Sequence, residues 1–103
     1  MDFSQLGQML EQAQSMKQQM DERLAAQTFE ATSGGGAVTV RMNGKKELLK
    51  LTIAPAAASA ASDDLTMLED LILAAVNEAG RKVTEAESAQ ASSMLGGLGL
   101  PGI

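Results

Sequence analysis

A chain of 103 residues with net charge −5, no Cys, His, Tyr or Trp, has room for one domain with a modest core. It excludes disulfides, thiol chemistry, most nucleophile–base pairs and most transition-metal sites. Apolar residues make up 45%, and Phe3 and Phe29 are the sole aromatics, so the core must be built from small or flexible side chains.

The first segment predicts a helix from Phe3 to Ala26. Leu6, Met9, Ala13, Met16 and Met20 recur at spacings of three and four, a heptad-like seam suited to core or dimer contact. At 1.5 Å per residue this helix is roughly 35 Å long. The period then changes to two. "TFEATS" turns Phe29 and Ala31 inward, Gly34–Gly36 break the run, and "AVTVRMN" alternates Val38, Val40 and Met42. Asn43-Gly44 is a hairpin signal, and "ELLKLTI" follows with Leu49, Leu51 and Ile53 on one face. A two-residue turn at Asn43-Gly44 and a four-residue loop from Asn43 to Lys46 give the same facing. Both put Thr39, Arg41, Lys46, Leu48, Lys50 and Thr52 on the outer face, and the shorter turn sets Arg41 opposite Lys46.

After Pro55, "AAASAAS" reads as a small-residue linker with some helical tendency. A second helix is predicted from Asp64 to Ala91. Thr66 and Glu69 suit a capping box, and Asp63, Asp64 and Asp70 suit the positive end of its dipole. Its seam is Leu65, Leu68, Ile72, Ala75, Ala79, Val83 and Ala86, widened by Leu71 and Val76. "SSMLGGLGLPGI" has no period and is expected to be a flexible tail, which divides the chain into a domain at 1–91 and a tail at 92–103. The expected fold class is α+β: a long N-terminal helix, a three-stranded antiparallel β-meander and a long C-terminal helix. A sheet this small covers only part of two such helices, which predicts a homodimer. The longest clean apolar run, Leu71–Val76, is too short to span a bilayer. "MDFSQLGQML" lacks the basic start and apolar run of a secretory signal. A soluble intracellular protein with no membrane partner is expected.

Charge is segregated along the chain. Residues 1–27 carry −2, residues 28–54 carry +2, and residues 55–103 carry −5. Arg41, Lys45, Lys46 and Lys50 are half of the eight basic side chains. A Debye length of about 8 Å in physiological salt lets such a patch act independently of distant carboxylates. The helical basics are Lys17, Arg23, Arg81 and Lys82. Glu78 and Glu85 can pair with Arg81, Glu78 with Lys82, and Asp21 with Lys17, whereas Arg23 has no acidic neighbour at helical spacing. "NGKK" is not a phosphate loop, because Thr39 stands where Gly is needed and Lys46 where a hydroxyl is needed. Helix N-terminal charge accounts for Asp63, Asp64, Glu69 and Asp70 without a metal. An enzyme is not expected, nor a cofactor or metal. Scarce aromatics argue against stacking on single-stranded bases, while contact with duplex phosphates needs none.

"GGGAVTVRMNG", "LKLTIAP" and "LEDLILAAVNEAGRK", with "QMLEQAQSMKQQM" before them, resemble the YbaB/EbfC family of bacterial nucleoid-associated proteins. The resemblance covers nearly the whole chain. It implies a small, tweezer-like homodimer that binds double-stranded DNA and sits in the cytoplasm on the nucleoid. Gly36, Val38, Val40, Asn43 and Gly44 match the family's strand-and-turn motif, and Leu68, Glu69, Asp70, Leu71, Ala75 and Asn77 its helical motif, both mainly structural. Arg81 and Lys82 match a basic pair in that helix. Ala54 and Gly80 depart from the residues usual there. The candidate DNA contacts are therefore Lys17, Arg23, Arg81 and Lys82 on the helices, with Arg41, Lys45, Lys46 and Lys50 as a second surface. The competing expectation is a dimeric scaffold or chaperone-like clamp whose Met- and Ala-rich seams hold a protein partner.

Overall fold

The fold is that of a computed structural model, which describes residues 2–97. In chain order the elements are α1 (Phe3–Ala26), β1 (Thr28–Ser33), β2 (Val38–Asn43), β3 (Leu48–Ile53), α2 (Pro55–Ala60) and α3 (Leu65–Gly97). The strands form one antiparallel sheet in the order β1-β2-β3. The predicted helix–meander–helix order is what the chain adopts, with α2 as one short turn started by Pro55.

α1 begins where Asp2 caps it. The Asp2 carboxylate accepts from the Ser4 hydroxyl at 2.7 Å and the Ser4 amide at 3.3 Å. These hydrogen bonds favour the charged form and hold the carboxyl below its usual range. Beyond that cap α1 is nearly unsupported. It has no buried residue, and its one substantial contact is with β2. Phe3 is 88% exposed and Met16 69% exposed, so the seam read from the sequence lies in water within one copy.

α3 makes the core. Ala75, Ala79 and Val83 pack with Ala31, Val38, Val40 and Met42 from the sheet, and Phe29, Ile53, Leu68, Leu71, Ile72 and Val76 close in around them. Spacings of four put Ala75, Ala79 and Val83 on one face, and two of them present only a methyl group. Two tertiary hydrogen bonds fix the helix along β1. The Ser33 hydroxyl donates to the Leu71 carbonyl at 2.6 Å, and the Lys82 ammonium donates to the Glu30 carbonyl at 2.7 Å. α3 thus runs antiparallel to β1 and lies mainly over β1 and β2. β3 is an edge strand with Leu48, Leu49 and Leu51 exposed.

The hairpin departs from both expected registers. Arg41 faces Lys50, not Lys46, and Met42 faces Leu48, so a bulge at Leu49 shifts the register between Arg41 and Met42. Leu48 and Lys46 therefore leave the outer-face set. Thr39, Arg41, Lys50 and Thr52 remain in it. The cause lies in Asn43, whose side-chain oxygen accepts from the Lys45 and Glu47 amides while its side-chain nitrogen donates to the Glu47 carboxylate. Its amide also donates to the Glu47 carbonyl. These bonds hold a wider loop, in which Lys46 takes the left-handed conformation at φ 63°. Gly44 is engaged elsewhere: its amide donates to the Leu24 carbonyl at 2.9 Å and to the Gln27 carbonyl at 3.2 Å. The hairpin tip is thereby docked on the end of α1.

Two boundaries also moved. Asp64 caps α3, accepting from the Met67 amide at 3.1 Å, in place of the Thr66–Glu69 box. The helix also passes Ala91, because Ser92 to Leu95 include no helix breaker, and it reaches Gly97, the last described residue. Residues 98–103 of the expected tail lie outside the described residues.

Candidate nucleic-acid interface

Six of the eight basic side chains fall into two groups. Arg41 and Lys50 are cross-strand partners on the sheet face turned away from α3. Glu30 faces Arg41 from β1, and Lys82 comes to the same strand from α3 through its bond to the Glu30 carbonyl. Lys45 and Lys46 are exposed at the hairpin tip. The Gly44–Leu24 hydrogen bond sets that tip against the last turn of α1, where Arg23 sits. A cation there complements the negative end of the α1 dipole. Lys17 and Arg81 stand apart from both groups.

Ion pairing separates these residues further. Among the described residues one ion pair forms, between Arg81 and Glu78, at the spacing of three read from the sequence. Its side chains are 63% and 40% exposed, so it adds little to stability. Lys82 uses a carbonyl on β1 in place of Glu78, and Lys17 makes no ion pair with Asp21. The other seven cations thus remain free of carboxylate partners among the described residues.

A groove of about 290 Å3 lies between the end of α1 and the later turns of α3, lined by Met20, Arg23, Leu24, Gln27, Gln90, Ser93 and Met94. No group of three or more acidic, His or Cys side chains among the described residues is arranged to hold a metal ion. No helix among them is long and apolar enough to cross a membrane. Sequence spacing did not bring Arg23 to Lys45 and Lys46, because that neighbourhood depends on Gly44 docking across the fold. Nor did it set Arg41 directly opposite Lys50, which follows from the bulged register, or Glu30 opposite Arg41, which follows from the β1–β2 pairing.

The fold and its surface define a small helix–meander–helix protein whose exposed cations are mostly free of carboxylate partners among the described residues. The YbaB/EbfC DNA-binding family model matches residues 1–98. The chain is 61% identical over 97 residues to a "Nucleoid-associated protein" of Acidobacterium capsulatum, covering 91% of this chain and 90% of that one. It is 48% identical over 99 residues to a "Nucleoid-associated protein" of Acetivibrio thermocellus, covering 92% and 86%. The crystal structure of an uncharacterised Helicobacter pylori protein superposes with a TM-score of 0.68 at 32% identity, covering 92% of this chain and 98% of that one. The chain belongs to the YbaB/EbfC family of nucleoid-associated DNA-binding proteins.

Proposed function

We propose that this chain works as a homodimer in the cytoplasm, on the nucleoid, binding duplex DNA through its phosphates with weak or no sequence preference. Such binding would affect nucleoid organisation and gene expression. The observation that carries the reading is the set of exposed cations without carboxylate partners in a chain of net charge −5. Phosphate contact supplies affinity without sequence information. No catalytic step is proposed.

Dimerisation is supported by the apolar surface one copy leaves wet. Leu6, Met9, Leu10, Met16 and Met20 are exposed along α1, and β3 offers an unpaired edge. Burying a Leu or Met side chain contributes roughly 1.5–3 kcal/mol, so five of them approach the cost of association, about 4–15 kcal/mol. Sedimentation of the full chain across concentration tests this. A monomer at every concentration overturns the dimer.

The test of DNA binding is fluorescence anisotropy of labelled duplexes of differing sequence across a range of salt. Affinity should be alike for all sequences and fall with a log–log slope of about −0.9 per phosphate neutralised. Absence of binding at low salt would overturn the reading. The groove between α1 and α3, with Met20, Leu24 and Met94 in its wall, favours a second reading: a dimeric scaffold or clamp for a protein partner. Recovery of one stoichiometric protein partner, with no duplex binding, selects that reading.

A further inference from the structure

Sheets ordinarily avoid placing two cations directly opposite each other, because the repulsion costs stability unless a counter-charge intervenes. Here Arg41 faces Lys50, and two residues along the same strands Thr39 faces Thr52. All four side chains line one shallow depression of about 70 Å3, floored by Val40 and closed on the β1 side by Glu30. Glu30 is the cross-strand partner of Arg41, yet neither Arg41 nor Lys50 forms an ion pair with it. Lys82 stands at the β1 edge with its ammonium on the Glu30 carbonyl.

We propose that this depression is a seat for a single phosphate group. The Arg41 guanidinium offers a planar fork that matches two phosphate oxygens, and the Lys50 ammonium acts as a point charge. The Thr39 and Thr52 hydroxyls supply neutral donors on either side. The space suits one tetrahedral oxyanion and is too small and too polar for a base or a typical small-molecule ligand. The bound oxyanion is the counter-charge that the Arg41–Lys50 pair lacks. Glu30 opposes it and keeps the affinity of each seat low. That the phosphate belongs to duplex DNA rests on the DNA-binding reading above; the seat itself does not.

The experiment follows backbone amides of the isotope-labelled full chain by NMR in two titrations. One uses inorganic phosphate against chloride at constant ionic strength, and the other a short DNA duplex. Both should shift the amides of Thr39–Arg41 and Lys50–Thr52. The double variant Arg41→Gln, Lys50→Gln should lose both responses. Its duplex affinity should also have a shallower salt slope, by about 0.9 for the phosphate lost from each seat, equivalent to about 3–4-fold between 50 and 200 mM salt. Glu30→Gln removes only the opposing charge and should tighten phosphate and duplex alike, a gain that a damaged fold does not produce. Phosphate shifts confined to the hairpin tip or α1, or no phosphate response with Glu30→Gln leaving affinity unchanged, overturn the seat. If phosphate binds the seat and the duplex does not bind at all, the seat stands and the DNA reading falls. If the duplex binds and the double variant retains its affinity and slope while Arg23→Gln, Lys45→Gln, Lys46→Gln loses them, the seat falls and DNA binding stands.

Discussion

Replacing Gly44 by alanine tests how α1 is held. A Cβ at Gly44 would lie 2.8 Å from the Leu24 carbonyl oxygen, 2.9 Å from the Gln27 side-chain oxygen and 3.3 Å from the Leu24 Cα. The first of these is backbone, so the end of α1 must retreat from the hairpin. Retreat breaks the Gly44 amide bond to Leu24, a net loss of about 0.5–1.5 kcal/mol, and overpacking adds about 1–3 kcal/mol. Alanine's smaller unfolded-state entropy offsets about 0.4–1 kcal/mol of this, which leaves a net loss of roughly 0.5–4 kcal/mol, centred near 2. Urea unfolding gives the total. Amide hydrogen exchange gives its location, with faster exchange expected at residue 44 and along the last turn of α1 while β1 and α3 keep their protection. An alanine variant as stable as the parent, with slow exchange at residue 44, would refute the docking argument.

Gly80 is the opposite case, since a Cβ there meets nothing within 4 Å inside α3. Gly80→Ala should raise stability by about 0.5–1 kcal/mol through helix propensity, read as a higher melting temperature. Val40 is 1% exposed at the centre of the sheet; Val40→Ala should cost about 2–3 kcal/mol from two lost methyl groups and the cavity they leave, measured by urea unfolding. Glu78→Gln removes the partner of Arg81 on an exposed helix face and should change stability by less than about 1 kcal/mol. A large loss in the same unfolding assay would mean that the pair holds α3 in some further way.

Locally encoded features were legible in the sequence. The period of three and four across Leu6 to Met20 and the alternation of Val38, Val40 and Met42 need no knowledge of neighbours, and both elements formed where expected. The same holds for Arg81 and Glu78, one helical turn apart. The hairpin register depended on which groups Asn43 and Gly44 would bind. Gly44 is required by the closeness of the Leu24 carbonyl rather than by a turn of the backbone, and that closeness arises only when α1 and the hairpin meet. Lys82 had a carboxylate available at helical spacing in Glu78, yet its long side chain reaches Glu30 on a strand 52 residues away in the chain. α3 passes the expected end at Ala91 because hydrophobic period and helix are separable, and backbone hydrogen bonding continues through serines that face water.

The Gly44–Leu24 junction also has a mechanical side. α1 is a stiff rod of about 36 Å, fastened at one end by the single linking residue Gln27 and by the two hydrogen bonds that the Gly44 amide donates to Leu24 and Gln27. Rotation at that fulcrum by about 10° carries the free end through about 6 Å for a rod of this length. Lys45 and Lys46 adjoin the fulcrum, so an anion bound at the hairpin tip would bear on the same junction that sets the angle of α1. The direction of the rod is then set at this junction, without any change in the sheet that carries it.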